Sequence, residues 1–166
     1  MANLAQIRKY LVSKKISYKI IDLGAEIYTV EGMAESGVDE EQIVKTLIIR
    51  FEPNSSPGLG QGYTALAVRG KDRVDFKKVR KLFGNKSELA KPEEVLKVCG
   101  VPVGAVCPIL LDMPVYFDER VMDLKHVNMG SGDLTKGLEM DLSDLLAAVD
   151  NYQVEDLIKI STQIKL

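Results

Sequence analysis

The stretch Gly100-Val101-Pro102-Val103-Gly104-Ala105-Val106-Cys107-Pro108 decides how the rest of this chain is arranged. It holds two glycines and two prolines in nine positions. Proline fixes φ and has no N–H, while glycine reaches backbone angles that are closed to other residues, so neither a helix nor a central strand tolerates this density. The remaining residues are too apolar for an exposed linker. We therefore predict a rigid loop that packs on a core and directs backbone N–H groups into a cavity.

Two apolar runs that precede this loop predict a pair of neighbouring strands. Residues 43–51 are rich in β-branched side chains and almost continuously apolar, which is typical of a buried central strand. Residues 63–69 form a second run of the same kind. Residues 52–62 between them contain mainly turn-forming residues. This order favours an antiparallel hairpin with a long connection.

Capping residues and apolar periodicity place the other elements. Helices are predicted after the caps Asn3, Thr29, Asp75 and Ser143, and from Pro92 to Val98. Short strands are predicted at residues 18–21, 114–118, 126–129 and 138–142. Together they predict an α+β fold with a mixed, mostly antiparallel, barrel-like sheet and interspersed helices. No internal boundary is visible, so residues 1–166 are expected to form a single domain.

Composition excludes several classes of function. The 166 residues are 46% hydrophobic and 28% charged, which is ordinary for a globular protein. The net charge of −2 argues against bulk nucleic-acid binding, and no DNA partner is expected. Neither a membrane span nor a signal peptide is visible, so a cytoplasmic protein is expected. Cys99, Cys107 and the single histidine, His126, are a poor supply of metal ligands or triad members. No metal and no cofactor is expected, and His126 is interpreted as a structural residue of a strand.

Lys45 is the most informative charged residue because it stands at the start of the most apolar strand. It points either into solvent, the commoner placement, or into a pocket beside the sheet. In a pocket its ammonium group would have a lowered pKa and would bind an anion or polarise a carbonyl. Cys107 has two similar readings, as a cavity residue or as a small buried hydrophobe.

A basic cluster also has two interpretations. Lys77, Lys78, Arg80 and Lys81 lie within one predicted amphipathic helix. They form either a surface that neutralises phosphates or, more simply, the solvated face of that helix. No aromatic residues interleave with these charges, which argues against base stacking there.

Several short blocks of sequence, taken together in their order along the chain, resemble those of a known protein family. They are Tyr28-Thr29-Val30-Glu31, residues 42–47, residues 65–68, residues 74–79, the Gly-x-x-x-Pro motif Gly104-Ala105-Val106-Cys107-Pro108, and residues 136–142 after a Ser131-Gly132 turn. This ordered set resembles the YbaK/prolyl-tRNA synthetase editing-domain family over most of the chain. The resemblance implies a free-standing aminoacyl-tRNA deacylase, which hydrolyses the ester between a wrong amino acid and the terminal ribose of tRNA.

The resemblance also implies roles for individual residues. Lys45 stands where the family carries its essential lysine, and Gly104 where it carries the glycine of its signature loop. The implied substrate-binding residues are Thr29, Thr46, Ala105, Val106, Cys107, Pro108, Ser131, Gly132 and Asp133. Aminoacyl-tRNA is the implied partner, with a prolyl-tRNA synthetase acting alongside and Lys77, Lys78, Arg80 and Lys81 on the tRNA backbone. No metal is needed, since an aminoacyl ester is already activated and backbone N–H groups near Gly104 can stabilise the oxyanion.

Two departures from the family pattern leave the rejected amino acid open. Ile109-Leu110-Leu111 follows Pro108, where the family often has an aromatic residue or leucine and then glycine. Cys107 replaces a common serine or threonine. The alanine, cysteine, serine and proline esters are therefore all retained as candidates. Two other functions also remain: a non-catalytic tRNA-binding or synthetase-accessory module, and a small-molecule binder or esterase that uses the same pocket.

Overall fold

The computed structural model of the chain describes residues 3–52 and 62–160. The helices in these residues are α1 (Leu4–Ser13), α2 (Val30–Glu35), α3 (Phe76–Phe83), α4 (Pro92–Cys99) and α5 (Leu142–Ala148). The strands are β1 (Lys19–Asp22), β2 (Val44–Arg50), β3 (Tyr63–Arg69), β4 (Glu88–Leu89), β5 (Val115–Asp118), β6 (His126–Gly130), β7 (Lys136–Asp141) and β8 (Gln153–Glu155). The connection predicted over residues 52–62 lies outside the described residues except at its two ends.

The strands form two sheets. One is antiparallel with the order β1-β7-β6, and the other has the order β4-β2-β3-β5-β8. In the second sheet β2 pairs antiparallel with both β3 and β4, whereas β5 pairs parallel with β3 and β8. The predicted α+β class with a mixed, mostly antiparallel arrangement is confirmed. The described strands do not close into one barrel.

Most of the predicted caps are present. Asn3, Thr29 and Asp75 each accept a hydrogen bond from a backbone N–H in the first turn of α1, α2 and α3, respectively. Gly100 closes α4 in the left-handed conformation at φ 77°, which glycine adopts without steric cost. Local sequence therefore determines where these helices begin and end.

The predicted N-cap of the last helix was wrong. Helix α5 begins at Leu142, and its cap residue is Asp141 instead of Ser143. Strand β7 accordingly ends one residue earlier than predicted. The Asp141 side chain makes no cap hydrogen bond, and its Oδ1 atom lies 2.6 Å from Nδ1 of His126 on β6. The Asp141 carboxylate therefore pairs with His126 on the neighbouring strand and does not accept a hydrogen bond from the first turn of α5.

The two sheets meet at the start of β2. Ile43 forms a parallel bridge with Asn128 of β6, and the Asn128 Nδ2 atom donates to Gln42 Oε1 at 3.1 Å. Strand β4 pairs with β2 only at Ile49 and Arg50. Between these two contacts, the edge of β2 that faces away from β3 has no partner strand among the described residues.

The hydrogen-bond register shows which groups lie on that free edge. Ile43 accepts from the N–H of Gly70 at 2.7 Å on the β3 side, and Ile48 accepts from the N–H of Ala90 at 2.9 Å on the opposite side. Because successive residues of a strand alternate in direction, Thr46 shares the orientation of Ile48. The backbone N–H and C=O of Thr46 therefore point away from β3 along the unpaired edge.

Asp118 connects the C-terminal segment to the sheet and is fully buried. Its carboxylate accepts from the N–H of Leu157 at 2.8 Å, the N–H of Arg120 at 2.9 Å and Arg120 Nη1 at 3.2 Å. We expect Asp118→Ala to lower the free energy of unfolding by roughly 2–4 kcal/mol, because the buried N–H of Leu157 loses its partner and the Arg120 guanidinium keeps only Asp156 as a hydrogen-bonded carboxylate. Urea denaturation measures this loss.

The neighbouring Glu119 provides the control, since its side chain is 57% exposed and lies 3.9 Å from the same guanidinium. Glu119→Ala is expected to change the free energy of unfolding by less than about 0.5 kcal/mol. Similar effects of the two substitutions would contradict the assignment of Asp118 as the connecting residue.

Candidate active site

A cavity of about 220 Å³ lies between the start of α2, the free edge of β2 and the Gly/Pro loop. Its wall consists of residues 27–30 with Met33, residues 43–47, Val103, Gly104 and Val106 of the loop, and Gly130. The wall is mainly apolar, and among the residues that the structure describes Lys45 is its one basic side chain. The loop predicted to border a cavity therefore does so.

Two glycines allow the backbone segments around this cavity to touch. Gly104 has φ +95°, and a Cβ atom placed on it would lie 2.9 Å from both Cα and the carbonyl oxygen of Tyr28. A Cβ atom on Gly130 would lie 2.5 Å from the carbonyl oxygen of Val106. Any larger residue at either position would push backbone away from backbone.

The loop presents free hydrogen-bond donors at the cavity wall. The N–H of Ala105 donates to the carbonyl of Pro102 at 3.0 Å, so it closes a turn and is occupied. The N–H groups of Gly104 and Val106 have no hydrogen-bond partner within residues 3–52 and 62–160. Both residues line the cavity. These two amides are the available donors for a ligand oxygen.

Thr46 contributes a second set of unpartnered polar groups. Its backbone N–H and C=O lie on the free edge of β2, which borders the cavity. Its Oγ1 atom is buried and makes no hydrogen bond within the described part of the chain. Buried polar groups without partners are uncommon and mark places where a ligand or water completes the hydrogen bonding.

Lys45 is partly buried and lines the same cavity. Burial lowers the pKa of its ammonium group, an effect opposed by the charges of Asp72 and Glu31 and reinforced by that of Arg73. No carboxylate in the described ranges lies within ion-pair distance of the Lys45 amine. An ammonium group that is partly desolvated and unpaired is suited to bind an anionic ligand.

The structure brings five of the predicted site residues into one cavity wall: Lys45, Gly104, Thr29, Thr46 and Val106. Of these, Thr29 also accepts from the N–H of Gly32 at 3.0 Å, so its hydroxyl caps α2. The predicted pocket placement of Lys45, rather than the solvent placement, is the one that the geometry shows.

The remaining predicted residues lie outside this wall. Ala105 and Cys107 are fully buried, and burial raises the pKa of the Cys107 thiol to about 12. Cys107 therefore follows the small-hydrophobe reading. Pro108 lines a separate hollow near Tyr10. The substrate-binding role of these three residues stays a prediction, since none of them lines the cavity wall.

Ser131, Gly132 and Asp133 form the turn between β6 and β7 and tie it to the loop. The N–H of Gly132 donates to the carbonyl of Ala105 at 2.7 Å. Ser131 Oγ donates to the carbonyl of Lys136 at 2.7 Å. The Asp133 carboxylate accepts from the N–H and hydroxyl of Thr135, which lowers the pKa of Asp133. The side chains of Ser131 and Asp133 and the backbone N–H of Gly132 hold the turn, and contact with a substrate stays a prediction.

The predicted basic cluster divides into two kinds of residue. Lys77, Arg80 and Lys81 are exposed on α3. Lys78 instead binds Asp156 Oδ2 at 2.9 Å and the carbonyl of Ile158 at 2.8 Å. Three of the four cations are therefore accessible to a partner, while Lys78 fastens the C-terminal segment.

Nine of the fourteen residues of the wall were not predicted as site residues, and Tyr28, Val103 and Gly130 are among them. Tyr28 and Val103 were read only as parts of motifs, and Gly130 only as part of a turn. The density of glycine at Gly130-Ser131-Gly132 was the available signal for a close backbone approach.

Three further features of the described residues were tested against the sequence analysis. Within residues 3–52 and 62–160 no group of three or more His, Cys, Asp or Glu side chains is arranged to hold a metal. None of the helices found there combines the length and the apolar character needed to cross a bilayer. His126 is exposed on β6 and lies outside the cavity wall.

Comparison with known proteins places these observations in a family. Residues 25–148 match the aminoacyl-tRNA editing domain family. The chain is 28% identical over 146 residues to the uncharacterized protein YwhH of Bacillus subtilis, covering 86% of this chain and 88% of that protein. It is 33% identical over 126 residues to proline–tRNA ligase of Caldicellulosiruptor saccharolyticus, covering 72% of this chain but only 21% of the ligase.

A solved structure shows the same architecture. The crystal structure of a protein proposed to be a trans-editing enzyme for prolyl tRNA synthetase superposes with a TM-score of 0.78 at 27% identity. The superposition covers 95% of this chain and 97% of that one. The predicted fold and family resemblance are confirmed by these similarities.

The backbone contact at Gly104 yields a test with a matched control. Gly37 has a similar φ of +106°, but a Cβ atom there would meet nothing within 4 Å. We expect Gly37→Ala to lower the free energy of unfolding by about 1–2 kcal/mol, the cost of the strained φ alone. Gly104→Ala should lower it by roughly 3 kcal/mol or more, because backbone must also move. Equal losses in denaturant unfolding would contradict the contact.

Proposed function

Given that the chain belongs to the aminoacyl-tRNA editing domain family, we propose that it hydrolyses mischarged aminoacyl-tRNA in trans. The proposed substrate carries a small noncognate amino acid on tRNA-Pro or a similar tRNA, and the proposed partner is a prolyl-tRNA synthetase in the same cytoplasm. One observation carries the proposal: a lysine and loop amides that have no partner among the described residues line one cavity.

The proposed reaction is attack of water on the ester carbonyl carbon. The water oxygen bonds to that carbon, the bond to the ribose oxygen breaks, and the displaced proton ends on the ribose oxygen. The products are the free amino acid and a tRNA with a free terminal hydroxyl. The N–H groups of Gly104 and Val106 are proposed to stabilise the oxyanion of the tetrahedral intermediate. A ribose hydroxyl or another substrate group serves as the base.

We propose that Lys45 binds a phosphate of the terminal nucleotide or orients the attacking group. No carboxylate among the described residues lies at ion-pair distance from its ammonium group, although the charges of Asp72 and Glu31 act on it from further away, so the group can still pair with an anionic substrate. Burial strengthens that attraction by reducing the local dielectric constant. The mainly apolar wall elsewhere leaves Lys45 as the basic group of the cavity.

The cavity also supports a small amino acid as the edited residue. Its walls include the apolar side chains of Ile27, Val30, Met33 and Leu47. A volume of about 220 Å³ is below the usual range for drug-sized ligands. Because one methylene changes binding in such a pocket by only about 1–3 kcal/mol, a panel of esters is needed to rank alanine, cysteine, serine and proline.

Lys45→Met tests the proposal because it keeps the length of the side chain and removes its charge. We expect the rate of deacylation of mischarged tRNA to fall by about 100-fold or more. The free energy of unfolding should stay equal or rise, since burial of the ammonium group disfavours the folded state wherever lysine is protonated. The measurements are tRNA deacylation and urea unfolding, with Lys97→Met, an exposed lysine on α4, as the control.

The pH dependence of turnover and of folding stability provides a second test of Lys45. Because the folded-state pKa of Lys45 is lowered, its ammonium group deprotonates at a lower pH than an ordinary lysine, and lysine-dependent turnover should decline there. Over the same pH range the stability of the fold should rise, since the unfolded chain binds more protons.

Full deacylation by Lys45→Met would remove the lysine from the mechanism, whereas tRNA binding without hydrolysis by the native protein would favour the non-catalytic module.

The exposed cations of α3 are proposed to contact the tRNA backbone. Replacing both Lys77 and Lys81 with Gln should weaken tRNA binding and flatten the plot of log affinity against log salt by about one to two units. Lys78→Gln should instead lower the free energy of unfolding, because Lys78 holds Asp156 and Ile158. An unchanged salt slope in the double variant would exclude this helix from the interface.

A further inference from the structure

Two apolar side chains stand exposed at the same cavity. Tyr28 is 55% exposed and Val103 is 42% exposed, and both line the cavity wall. Single exposed apolar side chains are ordinary on protein surfaces. Two of them beside one opening, from segments far apart in sequence, form an apolar patch next to a polar site.

The backbone beneath Tyr28 is held from several directions. The N–H of Ile27 donates to the carbonyl of Leu134 at 2.9 Å, and Thr29 caps α2. The Tyr28 backbone itself packs on Gly104 so closely that a Cβ atom there would lie 2.9 Å away. The ring is therefore attached to a fixed point next to Val103 and the loop amides.

The Tyr28 side chain is held only weakly by its hydroxyl group. The Tyr28 hydroxyl donates to Glu26 Oε1 at a long 3.4 Å, on the exposed side of the same segment. Structural tyrosines in this fold behave differently: the hydroxyl of Tyr63 donates to Glu94 Oε2 at 2.8 Å. With 55% of the residue exposed, the Tyr28 side chain is accessible to a ligand at the cavity opening.

We infer that Tyr28 is a stacking platform for the nucleobase of the terminal nucleotide of the RNA substrate, with Val103 beside it. This inference rests on the proposed function, which brings an aminoacylated RNA end to the cavity. A cavity of about 220 Å³ accommodates the ester and leaves the base at the opening. Aromatic side chains bind unpaired bases by stacking on their faces, and a single such contact changes affinity by about tenfold or more.

The platform is a positioning device and not a catalytic group. Stacking contributes equally to the bound substrate and to the transition state, so Tyr28→Leu should raise KM for aminoacyl-tRNA by about tenfold and leave kcat almost unchanged. Tyr28→Phe should behave like the native protein, because the ring and not the hydroxyl makes the contact. If Tyr28 had only a structural role, Tyr28→Leu would change the free energy of unfolding and would not raise KM at a constant kcat.

The decisive experiment measures stacking without requiring hydrolysis. An uncharged RNA minihelix carries 2-aminopurine in place of the terminal adenine, and its fluorescence is quenched on stacking. The chain contains no tryptophan, so protein fluorescence interferes little. The native protein and Tyr28→Phe should quench the signal, Tyr28→Leu should not, and the Kd of Tyr28→Leu should be about tenfold higher. Tyr18→Leu, at a partly buried tyrosine that lines a different hollow, is the control.

The outcomes separate this inference from the proposed function. Quenching that is equal in the native protein and Tyr28→Leu, or binding without quenching, overturns the platform even if the native protein deacylates tRNA. Quenching that depends on Tyr28 in a protein that releases no amino acid supports the platform and overturns the deacylase. Absence of RNA binding by the native protein overturns both.

Discussion

Direct packing of backbone on backbone at two glycines holds the candidate site together. Gly104 lies against Tyr28, and Gly130 lies against the carbonyl of Val106. Both contacts are too close for any side chain, so the loop, the segment before α2 and the end of β6 have a fixed spacing. The cavity is the space that remains between these three segments and the free edge of β2.

Unpartnered polar groups concentrate around that space. The loop amides, the Thr46 hydroxyl and the Lys45 ammonium group all lack protein partners within the described residues. The Thr46 hydroxyl is buried, so its missing partner costs stability, whereas the buried carboxylate of Asp118 accepts three hydrogen bonds. Such costs are retained at functional sites, where a ligand supplies the missing partner. This concentration argues for a binding or catalytic role more strongly than any single residue does.

Much of the fold follows from local sequence. The caps Asn3, Thr29 and Asp75 and the left-handed Gly100 mark helix ends by hydrogen bonds and backbone angles that neighbouring residues determine. Strands β4 and β8 were not predicted, because two or three residues carry no periodic pattern and exist as strands only through their partners. The start of α5 was misplaced since the Asp141 side chain pairs with His126 across the sheet.

By itself the sequence determined the α+β class, the buried strand that carries Lys45, the rigid loop at residues 100–108 and, through its ordered motifs, the family. Only the tertiary structure decided that Lys45 faces a cavity and that Cys107 and Pro108 lie outside its wall. It also decided that, among the described residues, the amides of Gly104 and Val106 have no partner while that of Ala105 has one. The physical reason is that a side chain's exposure and a backbone group's partner depend on segments distant in sequence. Local propensity sets the angles of the chain, but the approach of Tyr28 and Gly130 to the loop sets which atoms a substrate can reach.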